Sequence, residues 1–289
     1  KGTCLGILGE SGSGKSTMGR VLCGLLKPDS GTVFLNGVSV YGSKQGRKNL
    51  QDRLSIVFQD YTTSANPRFR VADILKEGLF VRQRRERKKL NQEKEIRRLL
   101  ELVGLSYDFA GRFPHELSGG QLQRICIARA VACNPELILF DEAISSLDAH
   151  TQVQIMDLLL DLKEKLGLTY IFITHNLSVV NHIADEIAVM YLGSVVEKAP
   201  VVELFDNPLH PYTKALLSVI PIPEIHEVKK ELAIQGEVVS PINLPDECRF
   251  YKRCPVRCDA CRQGVPALRE VSPGHFVACA KCQQAPAGQ

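Results

Sequence analysis

No run of apolar residues in the chain approaches the roughly 20 residues that a bilayer-spanning helix needs. The opening stretch, KGTCLGILGE, also lacks the basic-then-apolar order of a secretory signal. Together these absences predict a cytosolic protein with reduced thiols, so its ten cysteines do not read as a disulfide framework. Strong net charge is missing too: +4 over 289 residues hints at anionic ligands without requiring nucleic acid. Aromatic residues, 6% of the chain, are nearly absent from its one strongly basic run, VRQRRERKKLNQEKEIRRLLELVGL. Glu86, Glu93, Glu95 and Glu101 intersperse that run, which reads as a solvated helix face rather than a nucleic-acid or lipid-headgroup surface.

What is present fits a globular protein, with 44% hydrophobic and 24% charged residues. The length allows one large domain with an appendage, or two domains. The chain opens on Lys1 and runs straight into an apolar strand, so an N-terminal piece of the natural protein is expected to precede it.

CLGILGESGSGKSTMGRVLCGLL shows an apolar run, a glycine-rich turn and a helical pattern ending before Pro28. Within it Gly9, Gly14, Lys15 and Ser16 fit G-x-x-x-x-G-K-[ST] in the strand, loop, helix context that this pattern requires. Glycines let successive backbone N–H groups turn inward around phosphate oxygens, and the helix N-terminus adds its positive dipole end. Lys15 would reach the β and γ phosphates and the Ser16 hydroxyl would ligate Mg²⁺. The alternative is a glycine-rich turn with no ligand.

PELILFDEAISSLD holds the apolar run Leu137–Phe140 and then Asp141 and Glu142, as a buried parallel strand with ligand residues beyond its carboxyl end would. Asp141 would hold Mg²⁺ through its water shell and Glu142 would polarise the attacking water. Between these halves, Ser118, Gly119, Gly120 and Gln121 open a helix whose apolar face recurs at Leu122, Ile125 and Ala128. That turn is a second anion nest, which suggests that two chains share two nucleotides.

GESGSGKST, LSGGQ, LILFDE, SSLD and ITH, in this order, resemble the ATP-binding subunits of ABC transporters over at least residues 1–200. The resemblance implies an α/β P-loop NTPase fold: an ABC-type ATPase core over 1–200, with a helical subdomain at about 62–130 and its first strand missing. It further implies a head-to-tail dimer. Gly9, Ser11, Gly12, Gly14, Lys15, Ser16 and Thr17 of one subunit, and Ser118 to Gln121 of the other, would clamp the same ATP. Gln59, ending LSIVFQ, matches the glutamine that senses Mg²⁺ and the attacking water. His175 matches the histidine that contacts the γ-phosphate, and Asp148 the aspartate that communicates across the dimer. The family's adenine-stacking aromatic residue lies upstream of the phosphate loop, and Lys1 begins too late to include it. A groove near Gln59 would receive a short helix of a separate membrane subunit.

ELFDNPLHPYTKALLSVIPIPE, residues 203–224, is punctuated by Asn207-Pro208 and His210-Pro211 around one amphipathic helical stretch, Tyr212 to Val219. HPYT, SPINLP and the cysteine-rich stretch after them resemble the 201–289 extension of oligopeptide, dipeptide and nickel transporter ATPases, and ALLSVIPIP leans to the oligopeptide branch. The implied protein is a peripheral ATPase on the cytoplasmic face of the membrane. Its partners would be two membrane-spanning permease subunits, a second related ATPase or its own copy, and indirectly an extracytoplasmic binding protein. Import of nickel instead of peptides is an alternative. A soluble ATPase acting on ribosomes or DNA is another, though the long coiled-coil insertion or second core of such proteins is not found here.

Cys4, Cys23, Cys126 and Cys133 fall in apolar patterns and read as buried small hydrophobes. Six cysteines remain. Cys258-x2-Cys261 followed after seventeen residues by Cys279-x2-Cys282 fits a double C-x2-C zinc pattern. Cys248, Cys254, Cys261 and Cys279 instead match the family arrangement that carries a [4Fe–4S] cluster, the reading preferred here. A third reading has the thiols simply packed. Lys252, Arg253 and Arg257 would help offset the charge of a thiolate-bound centre.

Overall fold

A computed structural model describes residues 1–218 and 242–283. In chain order the strands and α-helices are β1 (Cys4–Leu8), α1 (Lys15–Leu22), β2 (Phe34–Leu35), β3 (Val38–Ser39), α2 (Lys44–Arg53), β4 (Leu54–Phe58), α3 (Tyr61–Ser64), α4 (Val71–Glu86), α5 (Gln92–Leu102) and α6 (Gly119–Ala132). They continue with β5 (Leu137–Asp141), α7 (Ala149–Leu166), β6 (Thr169–Thr174), α8 (Leu177–Ile183), β7 (Glu186–Tyr191), β8 (Ser194–Pro200), α9 (Val201–Asp206), α10 (Pro211–Ser218), β9 (Arg269–Ser272) and β10 (His275–Val277). The chain divides into two compact units, Lys1–Cys4 with Ser16–Ile173, and Leu5–Lys15 with Thr174–Gln289.

In the first unit β4, β5 and β6 lie parallel and in register, from Leu54, Leu137 and Thr169 to Phe58, Asp141 and Ile173. Parallel strands covered on both faces must be apolar throughout, which is why LSIVF, LILFD and TYIFIT read as nearly unbroken hydrophobic runs. Phe140 centres their packing, edge-on to Tyr170 at 5.1 Å and stacked on Phe172 at 5.4 Å. The buried Tyr170 hydroxyl meets its hydrogen-bond requirement by donating to the Leu159 carbonyl at 3.0 Å.

Helices fill most of residues 61–132. At Gly78, α4 and α6 approach so closely that an added Cβ would lie 2.5 Å from the Arg129 carbonyl oxygen. The basic run is laced with acids: Arg82 pairs with Glu86 at 3.0 Å and with Glu95 at 3.2 Å, and Arg98 pairs with Glu95 at 2.9 Å. Cys4, Cys23 and Cys126 are buried as expected, whereas Cys133 is half-exposed because it caps the end of α6.

In the second unit β1 runs parallel to β7, which turns back as antiparallel β8; β10 and then β9 extend the sheet. The β7–β8 turn is made by Leu192 and Gly193, both with positive φ (43° and 78°), the backbone of a type I′ hairpin. Tyr191, Tyr212 and Phe250 form a buried aromatic cluster, with centroid separations of 4.7, 5.2 and 5.5 Å. It ties the stretch after the core back to β7. Tyr212 begins the helical stretch as predicted, one residue inside α10; Val219 and the rest of ALLSVIPIP beyond Ser218, with Ser240 and Pro241 of SPINLP, lie outside the described residues. Among the described residues no helix is long and apolar enough to cross a membrane.

Candidate functional site

The phosphate loop belongs to the second unit up to Lys15. Gly9 ends the exit from β1 where no side chain fits, since a Cβ there would lie 2.3 Å from the Met190 carbonyl oxygen. Gly12 and Gly14 take φ of +79° and +98°, which aims consecutive amides inward at little steric cost. The loop is pinned by Ser13 N–H donating to the Glu10 carbonyl at 3.2 Å and Gly193 N–H to the Ser13 carbonyl at 2.8 Å. Lys15 is 4% exposed, and its ammonium donates to the Gly9 and Glu10 carbonyls at 2.8 and 2.9 Å. The cation is thereby held across the loop mouth.

In the first unit α1 carries Ser16 and Thr17, and the Ser16 hydroxyl donates to Asp141 Oδ1 at 3.0 Å. This pair of hard oxygen donors, one neutral and one acidic, is the donor set Mg²⁺ takes beside a phosphate loop. Glu142 follows in a left-handed conformation, φ 48°, which costs a non-glycine residue about 1 kcal/mol. Its N–H donates to the Ile173 carbonyl at 2.9 Å, and its own carbonyl accepts from the Ser145 hydroxyl at 2.9 Å. These bonds secure the strained backbone on both sides of Glu142.

Gln59 directly follows Phe58, the register partner of Asp141, and its side chain is exposed. Asp60 beside it is held down at about 2, chiefly by the hydrogen bond from the Thr62 hydroxyl. His175, in the second unit, is exposed immediately after β6, and the Asn176 side chain caps α8 by accepting the Ser178 N–H at 2.9 Å.

The Ser118 hydroxyl accepts the Gln121 N–H at 3.3 Å, while Gln121 Oε1 accepts the Ser118 N–H at 3.0 Å. This reciprocal capping box starts α6 with Gly119 and Gly120 in its first turn. Asp148 caps α7 by accepting the Thr151 N–H at 3.0 Å and its hydroxyl at 2.7 Å; that hydroxyl bond is the main cause of the aspartate's lowered pKa. A Cβ on Gly120 would lie 2.6 Å from the Thr151 methyl, so the signature turn and the Asp148 cap are immediate neighbours. The first unit therefore gathers Ser16 with Asp141, and Gly120 with the Asp148 cap, while the second carries the loop, Lys15 and His175.

The cysteine-rich stretch gives no support to a metal centre. Cys248 N–H donates to the Cys261 carbonyl at 2.8 Å, and the Cys258 and Cys261 sulfurs are 3.6 Å apart. Burial pushes the Cys248 thiol up to about 11, with the neighbouring Cys261, Cys279 and Cys254 adding to the effect. A hydrogen bond from Cys282 brings Cys279 down to about 6. Yet among the described residues no three or more Cys, His, Asp or Glu side chains are arranged to hold a metal ion. Arg253 also departs from expectation. It is 8% exposed and turned to Glu10 and Tyr191, whereas the Arg257 guanidinium lies over the Tyr251 ring and Lys252 is exposed.

The family model described as ABC transporter matches residues 1–145, and that described as the oligopeptide/dipeptide transporter C-terminal region matches residues 196–261. The chain belongs to the ABC transporter ATP-binding family. It is 47% identical over 283 residues to the oligopeptide transport ATP-binding protein AppF of Bacillus subtilis (strain 168), covering 96% of this chain and 85% of AppF. With the probable peptide ABC transporter ATP-binding protein y4tS of Sinorhizobium fredii it shares 44% over 282 residues, 96% of this chain and 78% of that one. Among solved structures, cbiO1 of Clostridium perfringens, part of the ABC transporter complex cbiONQ, superposes with a TM-score of 0.63 at 28% identity, covering 72% and 80% of the two chains. The ATP-binding cassette MJ0796, a post-hydrolysis dimer bound to ADP and Pi, gives 0.61 at 31% identity, covering 69% and 86%. The fold is that of a P-loop NTPase, and the chain is an ATPase of the ABC class.

Proposed function

We propose that this ATPase powers import of oligopeptides or dipeptides through separate permease subunits, working from the cytoplasmic face of the membrane as one of a head-to-tail pair of ATPase subunits. The observation that carries the nucleotide chemistry is the contact of Ser16 with Asp141. The peptide substrate is supported by the match of residues 196–261 to the oligopeptide/dipeptide transporter C-terminal region and by the peptide-transport relatives, which weigh against action on ribosomes or DNA.

In this reading the glycine loop from Gly9 to Gly14, with Ser11, Gly12 and Thr17, donates backbone and hydroxyl hydrogens to the phosphates, and Lys15 offsets their charge. Mg²⁺, held by Ser16, Asp141 and Gln59, supplies charge neutralisation to the β and γ phosphates when bound. Glu142 accepts a proton from the attacking water, Gln59 orients that water and His175 donates to the γ-phosphate. Ser118, Gly119, Gly120 and Gln121 close the site of the opposite subunit, and Asp148 links the two sites. The [4Fe–4S] reading of the extension is carried by cysteine spacing and family pattern alone; anaerobic purification with iron and zinc analysis tests it.

The decisive experiment is Glu142→Gln in the assembled transporter. Steady-state hydrolysis should fall at least about 100-fold while ATP remains bound, and peptide uptake should cease. Near-normal turnover would refute the assignment of Glu142. Failure of the chain to co-purify with permease subunits would refute the transport reading itself.

A further inference from the structure

Glu10, the second residue of the phosphate loop, has all its polar groups engaged, and two of its partners come from the far end of the chain. Its N–H donates to the Tyr212 hydroxyl at 3.1 Å, and its carbonyl accepts from Lys15 Nζ at 2.9 Å and from Ser13 N–H at 3.2 Å. Its carboxylate accepts from Arg253 Nη1 at 3.0 Å, across 243 positions of sequence. The Arg253 side chain is 9% exposed, its guanidinium lies 5.8 Å from the Tyr191 ring centroid, and the same Nη1 is 3.3 Å from the Tyr191 hydroxyl. Its buried Nε meets no acceptor among the described residues, so the guanidinium is held through Nη1, which Glu10 and the Tyr191 hydroxyl share, with the Glu10 carboxylate as its charged partner.

A carboxylate within a loop built to surround phosphates repels the ligand unless it is neutralised, because like charges in a partly desolvated site interact strongly. We propose that Arg253 is a positioning residue for nucleotide binding: it neutralises Glu10 and holds it away from the phosphates, so that the C-terminal extension sets the affinity of the phosphate loop. Tyr212 fixes the Glu10 backbone from the same side, through the aromatic cluster with Tyr191 and Phe250. This inference rests on the reading of Gly9 to Ser16 as the nucleotide loop.

The test uses the full chain, with MgATP affinity read by calorimetry, KM and kcat by steady-state hydrolysis, and folding by thermal melting. Arg253→Met should weaken MgATP binding about tenfold and raise KM with little change in kcat, since binding and not the chemical step is affected. The double variant Glu10→Gln with Arg253→Met should return to within about twofold of the unmodified chain, because the exposed repulsive charge is gone. Arg253→Lys, which keeps the charge and folds most readily, should stay within about threefold. A double variant as weak as Arg253→Met would overturn the proposal in favour of simple packing, as would wild-type affinity in Arg253→Met or a tenfold loss in Arg253→Lys. If the unmodified chain does not bind MgATP, the nucleotide-loop reading falls and this inference with it.

Discussion

Acidification should destabilise this protein in part through His210. Its ring is 1% exposed, and burial alone pulls its pKa from 6.5 down to about 4. Nδ1 accepts the Tyr212 N–H at 3.1 Å, which requires the neutral form on that nitrogen, and the nearby Glu197 carboxylate is engaged by the His210 backbone N–H rather than by the ring. A depressed histidine favours the folded state above its unfolded pKa: between pH 6.5 and 4 the unfolded chain binds a proton that the folded chain refuses, so stability falls as pH falls. The full effect is about 3 kcal/mol, from 1.36 kcal/mol per pKa unit. Of this, about 2 kcal/mol is lost between pH 7.5 and 5.0. Urea unfolding at those two pH values measures it, as a midpoint shift of about 0.7 M for an m-value near 3 kcal/mol/M. His210→Asn keeps a side-chain acceptor for the Tyr212 N–H but does not titrate, so its midpoint should move less by that amount. Equal losses in the two proteins would refute the assignment.

Three further outcomes follow from close contacts and caps. Gly78→Ala places a methyl 2.5 Å from the Arg129 carbonyl and 2.7 Å from the Ala132 side chain, so α4 and α6 must separate, at a cost of about 2 kcal/mol, read as a lowered melting temperature. Gly9→Ala drives a methyl to 2.3 Å from the Met190 carbonyl, and MgATP affinity should fall at least about tenfold by calorimetry because the loop cannot keep its path. Ser118→Ala removes the acceptor for the Gln121 N–H and should cost about 1 kcal/mol in chemical denaturation; Ser118→Asp, which keeps an acceptor, should recover most of it.

The phosphate loop, the strand ending at Asp141 and the helix opened by Ser118 were all legible in order of residues, because each is a short-range object. Glycine torsions, strand periodicity and a capping box are set by neighbours within a few positions. The role of Asp148 as the cap of α7 had a local signal in Thr151 three residues on, of the kind that marks helix starts. Arg253 had none. Its basic neighbours and flanking cysteines suggested charge compensation at a metal centre, and only the folded chain turns it to Glu10. The cysteine spacing gains no support from the folded chain, since spacing constrains which sulfurs can meet but does not itself bring them around a metal.

The sequence by itself thus determined the class of fold and the ATPase class, since both are written in contiguous motifs whose backbone geometry is locally enforced. Tertiary structure alone decided that Tyr212 and Arg253 reach the phosphate loop from 202 and 243 positions away, and that His210 is stripped of water. Burial and long-range pairing depend on how distant strands and turns pack, and no local pattern of residues encodes that.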